Sequence, residues 1–159
     1  VFQKENEEKA MTRTNAREIV AQLVYEMQFR EESAHDVARA HMEPEYFGTL
    51  KDEADVYQEK PDARQAAYIE STLCGIEEKR EELEGYIRKY AIGWDLKRIS
   101  RTARAIMLLA MYESLYVDDV PTSAAISEAV ELTRKYEDED VVSFVNGILG
   151  AFAREVAPA

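Results

Sequence analysis

The chain has 159 residues, of which 46% are hydrophobic, and its 32 acidic and 20 basic residues give a formal net charge of −12. This length is enough for one domain with a hydrophobic core of its own. No apolar run approaches the roughly 18 residues of a membrane span, and the opening residues do not resemble a secretory signal, so we expect a soluble, cytoplasmic protein. The single cysteine, Cys74, excludes a disulfide framework and a cysteine-rich zinc site. The negative charge disfavours indiscriminate binding to nucleic acid.

The opening segment, VFQKENEEKA, is mostly polar and shows no periodicity. We predict that residues 1–10 are a flexible tail or a remnant of cloning, with Met11 as the natural start. Residues 11–159 are predicted to form a single domain. Its helical pattern breaks at Gly93, which divides it into helical halves over about 11–92 and 93–157.

Apolar residues recur at helical spacing through most of the domain. The predicted helices run over residues 16–30 with Thr14 or Asn15 as N-cap, 33–40, 62–90, from Trp94 to the stop at Asp118 and Pro121, from Pro121 to the acidic run 137–140, and from Val141 to Phe152. The acidic stretch 43–61, bounded by Pro44 and Pro61, is predicted to be a loop or a frayed helix. Since no segment alternates with period two, we predict an all-α fold of six or seven helices.

Residues suited to catalysis are few. His35 and His41 are six positions apart, which places them on different sides of a helix and excludes the two-histidine zinc geometry. Gly147 and Gly150 lack the lysine and the spacing of a phosphate-binding loop, so they are expected to permit close helix packing instead. Cys74 has no histidine nearby in the sequence and is expected to be a buried structural thiol. We therefore predict no catalytic residue, no metal site and no cofactor.

Basic and aromatic residues occur together at a few places in this acidic sequence. They are Arg13 and Arg17 at the first helix, Lys97, Arg98, Arg101 and Arg104 at three- and four-residue steps, Arg134, Lys135 and Tyr136 at the end of the penultimate helix, and Phe144 in the last helix. Each cation alone is typical of a solubilising surface position, and Tyr136 and Phe144 alone suit a core. Taken together, the cations and aromatics favour a site for single-stranded nucleic acid, where phosphate contacts combine with base stacking.

Three motifs occur in an order that resembles one protein family. They are RTNAREIVAQLVYEMQ from Arg13 to Gln28, MYESLYVDDVPTSAAISEAVELTRKY from Met111 to Tyr136, and FVNG from Phe144 to Gly147 with Leu149 following. From Met11 to about Glu155 the sequence resembles the NusB family of bacterial transcription antitermination factors. Each motif is short, but their shared order and spacing carry the resemblance.

The resemblance implies an all-helical fold and a non-enzymatic role in processive antitermination, especially on ribosomal RNA operons. NusB-like proteins pair with NusE, a small-subunit ribosomal protein, and the pair binds the boxA element of nascent RNA, which links it indirectly to other Nus factors and RNA polymerase. The RNA-binding residues implied by position are Arg13, Arg17, Arg134, Lys135, Tyr136, Asp140 and Phe144. Arg101 and Arg104 are the implied partner-binding residues, although Ala103 and Leu108 stand where the family often has an acidic residue and an arginine.

Two other interpretations stay open. The same helical domain occurs as the RNA-binding N-terminal part of ribosomal RNA cytosine methyltransferases, but we expect that this chain is not such an enzyme, because no cofactor-binding domain follows Ala159. Alternatively, the domain binds only proteins, and the basic stripe 97–104 meets an acidic partner. The apolar helix faces are compatible with a monomer and with a homodimer.

Overall fold

A computed structural model describes residues 10–53 and 55–156, and this part of the chain folds into eight α-helices joined by short connections. The helices are α1 (Arg13–Met27), α2 (Ala34–His41), α3 (Pro44–Gly48), α4 (Ala63–Glu78), α5 (Arg80–Tyr90), α6 (Arg101–Tyr116), α7 (Thr122–Tyr136) and α8 (Glu139–Val156). Short 3-10 turns cover Thr49–Asp52, Asp55–Gln58 and Leu96–Arg98. The predicted all-α fold is confirmed. Apart from Ala10, the predicted tail lies outside the described residues.

The described residues form more helices than the six or seven predicted, for two local reasons. The predicted helix 62–90 is divided at Lys79, which ends α4 and precedes α5. The stretch 43–61 is not a plain loop, because Pro44 opens the short helix α3 and two 3-10 turns follow it. Proline suits the first turn of a helix, because a backbone N–H at that position would have no acceptor within the helix.

The first helix begins earlier than its apolar pattern predicts. Thr12 has an extended backbone, and its hydroxyl accepts a hydrogen bond from the Asn15 amide at 3.1 Å, so α1 begins at Arg13. The N-cap prediction of Thr14 or Asn15 was wrong, because the first turn of α1 carries polar residues that the apolar periodicity does not mark. Equivalent side-chain caps begin α2, α4 and α6, at Ser33, Asp62 and Ser100.

The centre of the fold is α6. Its residues from Ala105 to Met111 are all buried, and it packs against α1, α4, α5, α7 and α8. The predicted division at Gly93 falls in the connection between α5 and α6, where Gly93 adopts a left-handed φ of 81°. The hydrophobic core is continuous across this connection. Among the described residues, no helix is long and apolar enough to cross a membrane.

Close helix packing occurs at Gly75 rather than at the glycines of α8. A Cβ atom at Gly75 would lie 2.0 Å from the hydroxyl oxygen and 2.3 Å from the Cζ atom of Tyr112, so α4 and α6 approach each other here. At Gly147 nothing lies within 4 Å of such an atom, and at Gly150 the nearest atom belongs to Arg154 at 3.6 Å. The expectation of close packing was therefore wrong for Gly147, which faces outward.

Candidate nucleic-acid interface

The two arginines of α1 are held in place by neighbouring helices. Arg13 Nε donates to Oε1 of Gln65 on α4 at 2.9 Å, and its guanidinium carbon lies 3.9 Å from the centre of the Tyr68 ring. Arg17 Nε donates to both carboxylate oxygens of Glu113 on α6, at 2.9 and 3.1 Å. Because residues four apart share a helix face, both guanidinium groups lie on one side of α1.

The ion pair between Arg17 and Glu113 is largely buried, with side chains that are 15% and 2% exposed. Burial disfavours the charge on Arg17, but the hydrogen bond and the negative charge of Glu113 outweigh it, and the pKa of Arg17 is raised. The bonds described for Arg17 use only its Nε, and the rest of its side chain lines a groove. Arg17 therefore has a structural role, because its ion pair with Glu113 joins α1 to α6.

This groove has a volume of about 210 Å³ and lies between α1, α6 and α7. Arg17 and Lys135 line it together with the carboxylates of Glu113 and Glu128. The fold thus brings two of the predicted RNA-binding cations to one concave surface, although they are far apart in the sequence. The carboxylates keep the groove from being strongly positive.

Lys135 and Tyr136, at the end of α7, both contact the carboxylate of Glu18 on α1. Nζ of Lys135 lies 2.6 Å from Glu18 Oε1, and the Tyr136 hydroxyl donates to the same oxygen. Gln22 Nε2 donates to the Tyr136 hydroxyl at 3.2 Å. Burial and the bond to Glu18 raise the pKa of Tyr136 to about 12, so the hydroxyl stays protonated. The Tyr136 side chain is nevertheless 44% exposed, which leaves ring surface open to solvent.

A hydrogen-bonded chain continues from Gln22 into the protein. The Tyr57 hydroxyl donates to Gln22 Oε1 at 2.5 Å, and His41 Nε2 lies 3.1 Å from the same hydroxyl. Since that hydroxyl has only one proton to give, neutral His41 must donate from Nε2. Burial, assisted by the charge of Arg30, lowers the pKa of His41 to about 4. His41 is therefore a neutral member of a buried network, which its position in the sequence did not reveal.

Metal and thiol chemistry find no support in the described residues. No group of three or more histidine, cysteine, aspartate or glutamate side chains there is placed to hold a metal ion. His35 pairs instead with Glu70, at 2.6 Å between Nδ1 and Oε1. Cys74 is half-buried against the core, and burial raises the pKa of its thiol. A raised thiol pKa suits a structural residue rather than a nucleophile.

The remaining candidates lie where α7 meets α8. Arg134 pairs with Glu131 on its own helix, and its Nε lies 3.7 Å from Oε1 of Glu139 in the first turn of α8. Asp140 is exposed one residue later. Phe144, one turn further, is half-buried and shares a helix face with Asp140.

Phe144 is not buried among core residues alone, because its ring also contacts Trp94. The two ring centres are 4.9 Å apart and the planes are inclined at 60°. Trp94 is 61% exposed. The prediction that Trp94 opens a helix was wrong, because α6 begins only at Arg101 and Trp94 lies in the connection before it.

The predicted RNA-binding residues, together with Trp94, Lys97 and Arg98, fall into two sets. We call Arg13, Arg17, Lys135 and Tyr136 the groove cluster: Arg17 and Lys135 line the groove, Tyr136 shares Glu18 with Lys135, and Arg13 lies one turn before Arg17 on α1. We call Trp94, Lys97, Arg98, Asp140 and Phe144 the Trp94 cluster, at the start of α8 and on the segment before α6. Arg134, through its pair with Glu139, lies between the two.

Arg101 and Arg104 have different neighbours. The guanidinium carbon of Arg101 lies 4.7 Å from the centre of the Phe29 ring, which is 61% exposed. Phe29 also contacts Tyr25 edge-on, with 5.5 Å between ring centres. Arg104 instead lies near Glu84 on α5, with 3.8 Å between Nη1 and Oε1. The described contacts therefore place Arg101 beside the segment that follows α1 and Arg104 beside α5.

Comparisons with known proteins agree with one another. A sequence model described as "NusB family" matches residues 14–154. The chain is 39% identical over 139 residues to the transcription antitermination protein NusB of Clostridium perfringens, a match that covers 87% of this chain and 94% of that protein. It is 36% identical over 145 residues to NusB of a Thermoanaerobacter species, covering 91% and 92% of the two chains.

Solved structures show the same fold. NusB of T. maritima superposes with a TM-score of 0.72 at 28% identity, over 94% of this chain and 95% of that one. A structure described as antitermination factors NusB and NusE in complex with dsRNA superposes with a TM-score of 0.65 at 20% identity, over 90% and 96% of the chains. Because the family match spans most of its residues and the relatives align over nearly their whole length, this chain belongs to the NusB family of transcription antitermination proteins.

Proposed function

We propose that this protein is an adaptor in processive transcription antitermination on ribosomal RNA operons, where it binds boxA-like single-stranded RNA jointly with NusE. The observation that supports this best is the groove cluster, in which cations and an aromatic ring from α1 and α7 meet on one surface of an acidic protein. Phosphate contacts and base stacking are what a single strand requires.

Each side chain of the groove cluster has its own role in RNA binding. Tyr136 offers exposed ring surface for stacking, and its hydroxyl fixes the ring against Glu18. Lys135, with a side chain 47% exposed, contacts phosphate while it also neutralises Glu18. Arg13 and Arg17 are held through Nε, so their terminal nitrogens remain to donate to phosphate.

The start of α8 supplies the other candidates. Asp140 is exposed and accepts a hydrogen bond from a base amino group, which selects against bases that lack that donor. Phe144 and Arg134 flank it on α8 and α7 and contribute stacking and positive charge. The RNA therefore follows the junction of α7 and α8 from one cluster to the other.

The partner protein is proposed to dock on the exposed rings of Tyr25 and Phe29, with Arg101 over Phe29. Exposed aromatic side chains next to an arginine are typical of protein interfaces. Arg104 contributes from the side of α5. The structure described as NusB with NusE and dsRNA shares this fold, which supports NusE as the partner.

A net charge of −12 makes joint binding reasonable. Acidic groups repel an RNA backbone, so the protein alone binds weakly, and a partner that contacts the same RNA raises the effective affinity. Binding to nascent RNA places the protein in the cytoplasm, linked to RNA polymerase and other Nus factors only through the RNA and NusE.

Size-exclusion chromatography of the protein mixed with NusE and a boxA oligoribonucleotide tests the proposal, because it reports oligomeric state, partner and ligand together. We expect all three components to elute as one complex and a scrambled RNA to be left out. Tyr136→Ala should weaken RNA binding by roughly 5- to 150-fold, the usual worth of one stacked base. Tyr136→Phe keeps the ring but loses the bond to Glu18, so its affinity should lie between those of wild type and Tyr136→Ala.

Arg39→Ala, an exposed cation on α2, is the matched control and should leave binding unchanged. If no RNA binds at low salt, with or without NusE, the proposed function is wrong. A stable NusE complex without RNA would favour the protein-binding module instead.

A further inference from the structure

The sole tryptophan of the chain is among its most exposed large side chains. Trp94 is 61% exposed, and it follows Ile92 and the left-handed Gly93 in the connection after α5. The Trp94 ring contacts the ring of Phe144 on α8, with 4.9 Å between the ring centres. Two rings in contact at the surface, unlike a single scattered apolar side chain, are a candidate contact surface for a ligand or a partner.

The segment that carries Trp94 is fixed at both ends. The Trp94 amide donates to the Ala91 carbonyl at 3.0 Å. Further on, Ile99 enters the core and the Ser100 hydroxyl donates to Glu137 Oε1 at 2.5 Å, which ties the segment to the connection between α7 and α8. A ring held in advance of binding loses little conformational freedom when a ligand stacks on it.

Two cations follow the ring on the same segment. Lys97 and Arg98 are exposed, and neither side chain forms an ion pair with a residue that the structure describes. The carboxylate of Asp95 accepts from the Lys97 backbone amide at 3.0 Å, so it shapes the turn. In a protein with a net charge of −12, an exposed ring followed three and four residues later by two exposed cations suits a ligand that is both aromatic and anionic.

We propose that Trp94 is a nucleobase-stacking residue and that Lys97 and Arg98 contact phosphates of the same RNA strand. The RNA surface then extends from Asp140 and Phe144 on α8 onto the segment before α6. This inference rests on the proposed function and deepens it, because it names where a base stacks beyond the residues implied by the family resemblance. An apolar face of a protein partner is the competing occupant.

Because Trp94 is the sole tryptophan, its fluorescence reports directly on what happens at this residue. The protein is titrated with a boxA oligoribonucleotide at low salt, first alone and then with NusE, while the fluorescence of Trp94 and the anisotropy of labelled RNA are recorded. We expect quenching of the Trp94 emission on binding. Trp94→Ala should lose roughly 5- to 150-fold in RNA affinity, and Trp94→Phe should recover most of it.

Ile92→Ala is the matched control, since Ile92 is an exposed apolar neighbour at 84% without a ring, and it should bind RNA as wild type does. Trp94→Phe retains an aromatic ring and serves if the alanine variant does not fold, which circular dichroism reports. A weakened NusE complex with unchanged RNA affinity would overturn the proposal and assign the surface to protein. Unquenched emission together with equal RNA affinity in all variants would also overturn it. Absence of RNA binding by the wild type would instead refute the proposed function itself.

Discussion

The groove cluster and the Trp94 cluster both combine basic and aromatic side chains, but their cations differ in whether they are paired with carboxylates. In the groove cluster, Arg17 is neutralised by Glu113 and Lys135 by Glu18, and both carboxylates are buried. In the Trp94 cluster, Lys97 and Arg98 have no ion-pair partner among the described residues. Cations of the first kind stabilise the fold before they meet a ligand, whereas cations of the second kind are available to a ligand at no cost to the fold.

The largest expected effect is on the buried pair of the groove cluster. Glu113→Ala leaves the Arg17 guanidinium buried without its counter-charge, and we expect the free energy of unfolding to fall by about 3–5 kcal/mol. Urea denaturation at pH 7 measures this loss. Glu131→Ala breaks an exposed pair with Arg134 and is the control, with an expected loss of less than about 1 kcal/mol. Equal losses in the two variants would show that the buried pair of the groove cluster stabilises the fold no more than an exposed pair does.

The second effect is a pH dependence that reaches the groove cluster through its hydrogen-bonded chain. The pKa of His41 falls from 6.5 to about 4 on folding, so the unfolded chain takes up the proton first as the pH drops. Stability from this group is complete above pH 6.5 and is lost between pH 6.5 and about 4, by roughly 3 kcal/mol in all.

Unfolding free energies of wild type and His41→Gln across this pH range test the effect. Glutamine still donates to Tyr57 but does not titrate, so the variant should lose less stability on acidification. Parallel curves for the two proteins would show that His41 does not titrate as its burial requires.

The smallest effect separates the clusters by the salt dependence of RNA binding. Lys97→Ala and Arg98→Ala should each reduce the slope of log affinity against log salt by about 0.7, the value for one phosphate contact on a single strand. Lys135→Ala, in the groove cluster, should reduce it less, because the buried carboxylate of Glu18 already neutralises part of its charge. A larger reduction for Lys135 than for Lys97 and Arg98 would reverse the assignment of the two clusters.

The fold could be predicted because helical periodicity and the family motifs extend through most of the chain, and family membership also confirms that the protein is not an enzyme. Cations and rings at the groove could be named from their residue types. The partners of these cations could not be predicted, since Glu113 is 96 residues from Arg17 and reaches it only because α1 packs on α6. Trp94 was missed for a similar reason, because periodicity does not separate a ring in a core from a ring left outside by a glycine turn.

The close approach of α4 and α6 at Gly75 limits how this protein can be re-engineered. Helix propensity alone favours alanine over glycine by about 1 kcal/mol inside a helix. Gly147 has room for that methyl group, whereas at Gly75 it would meet the Tyr112 ring. The helix α4 carries Gln65 and Tyr68, which hold Arg13, and α6 carries the Glu113 that holds Arg17. One missing methyl group thus sets the spacing of the two helices that position both arginines.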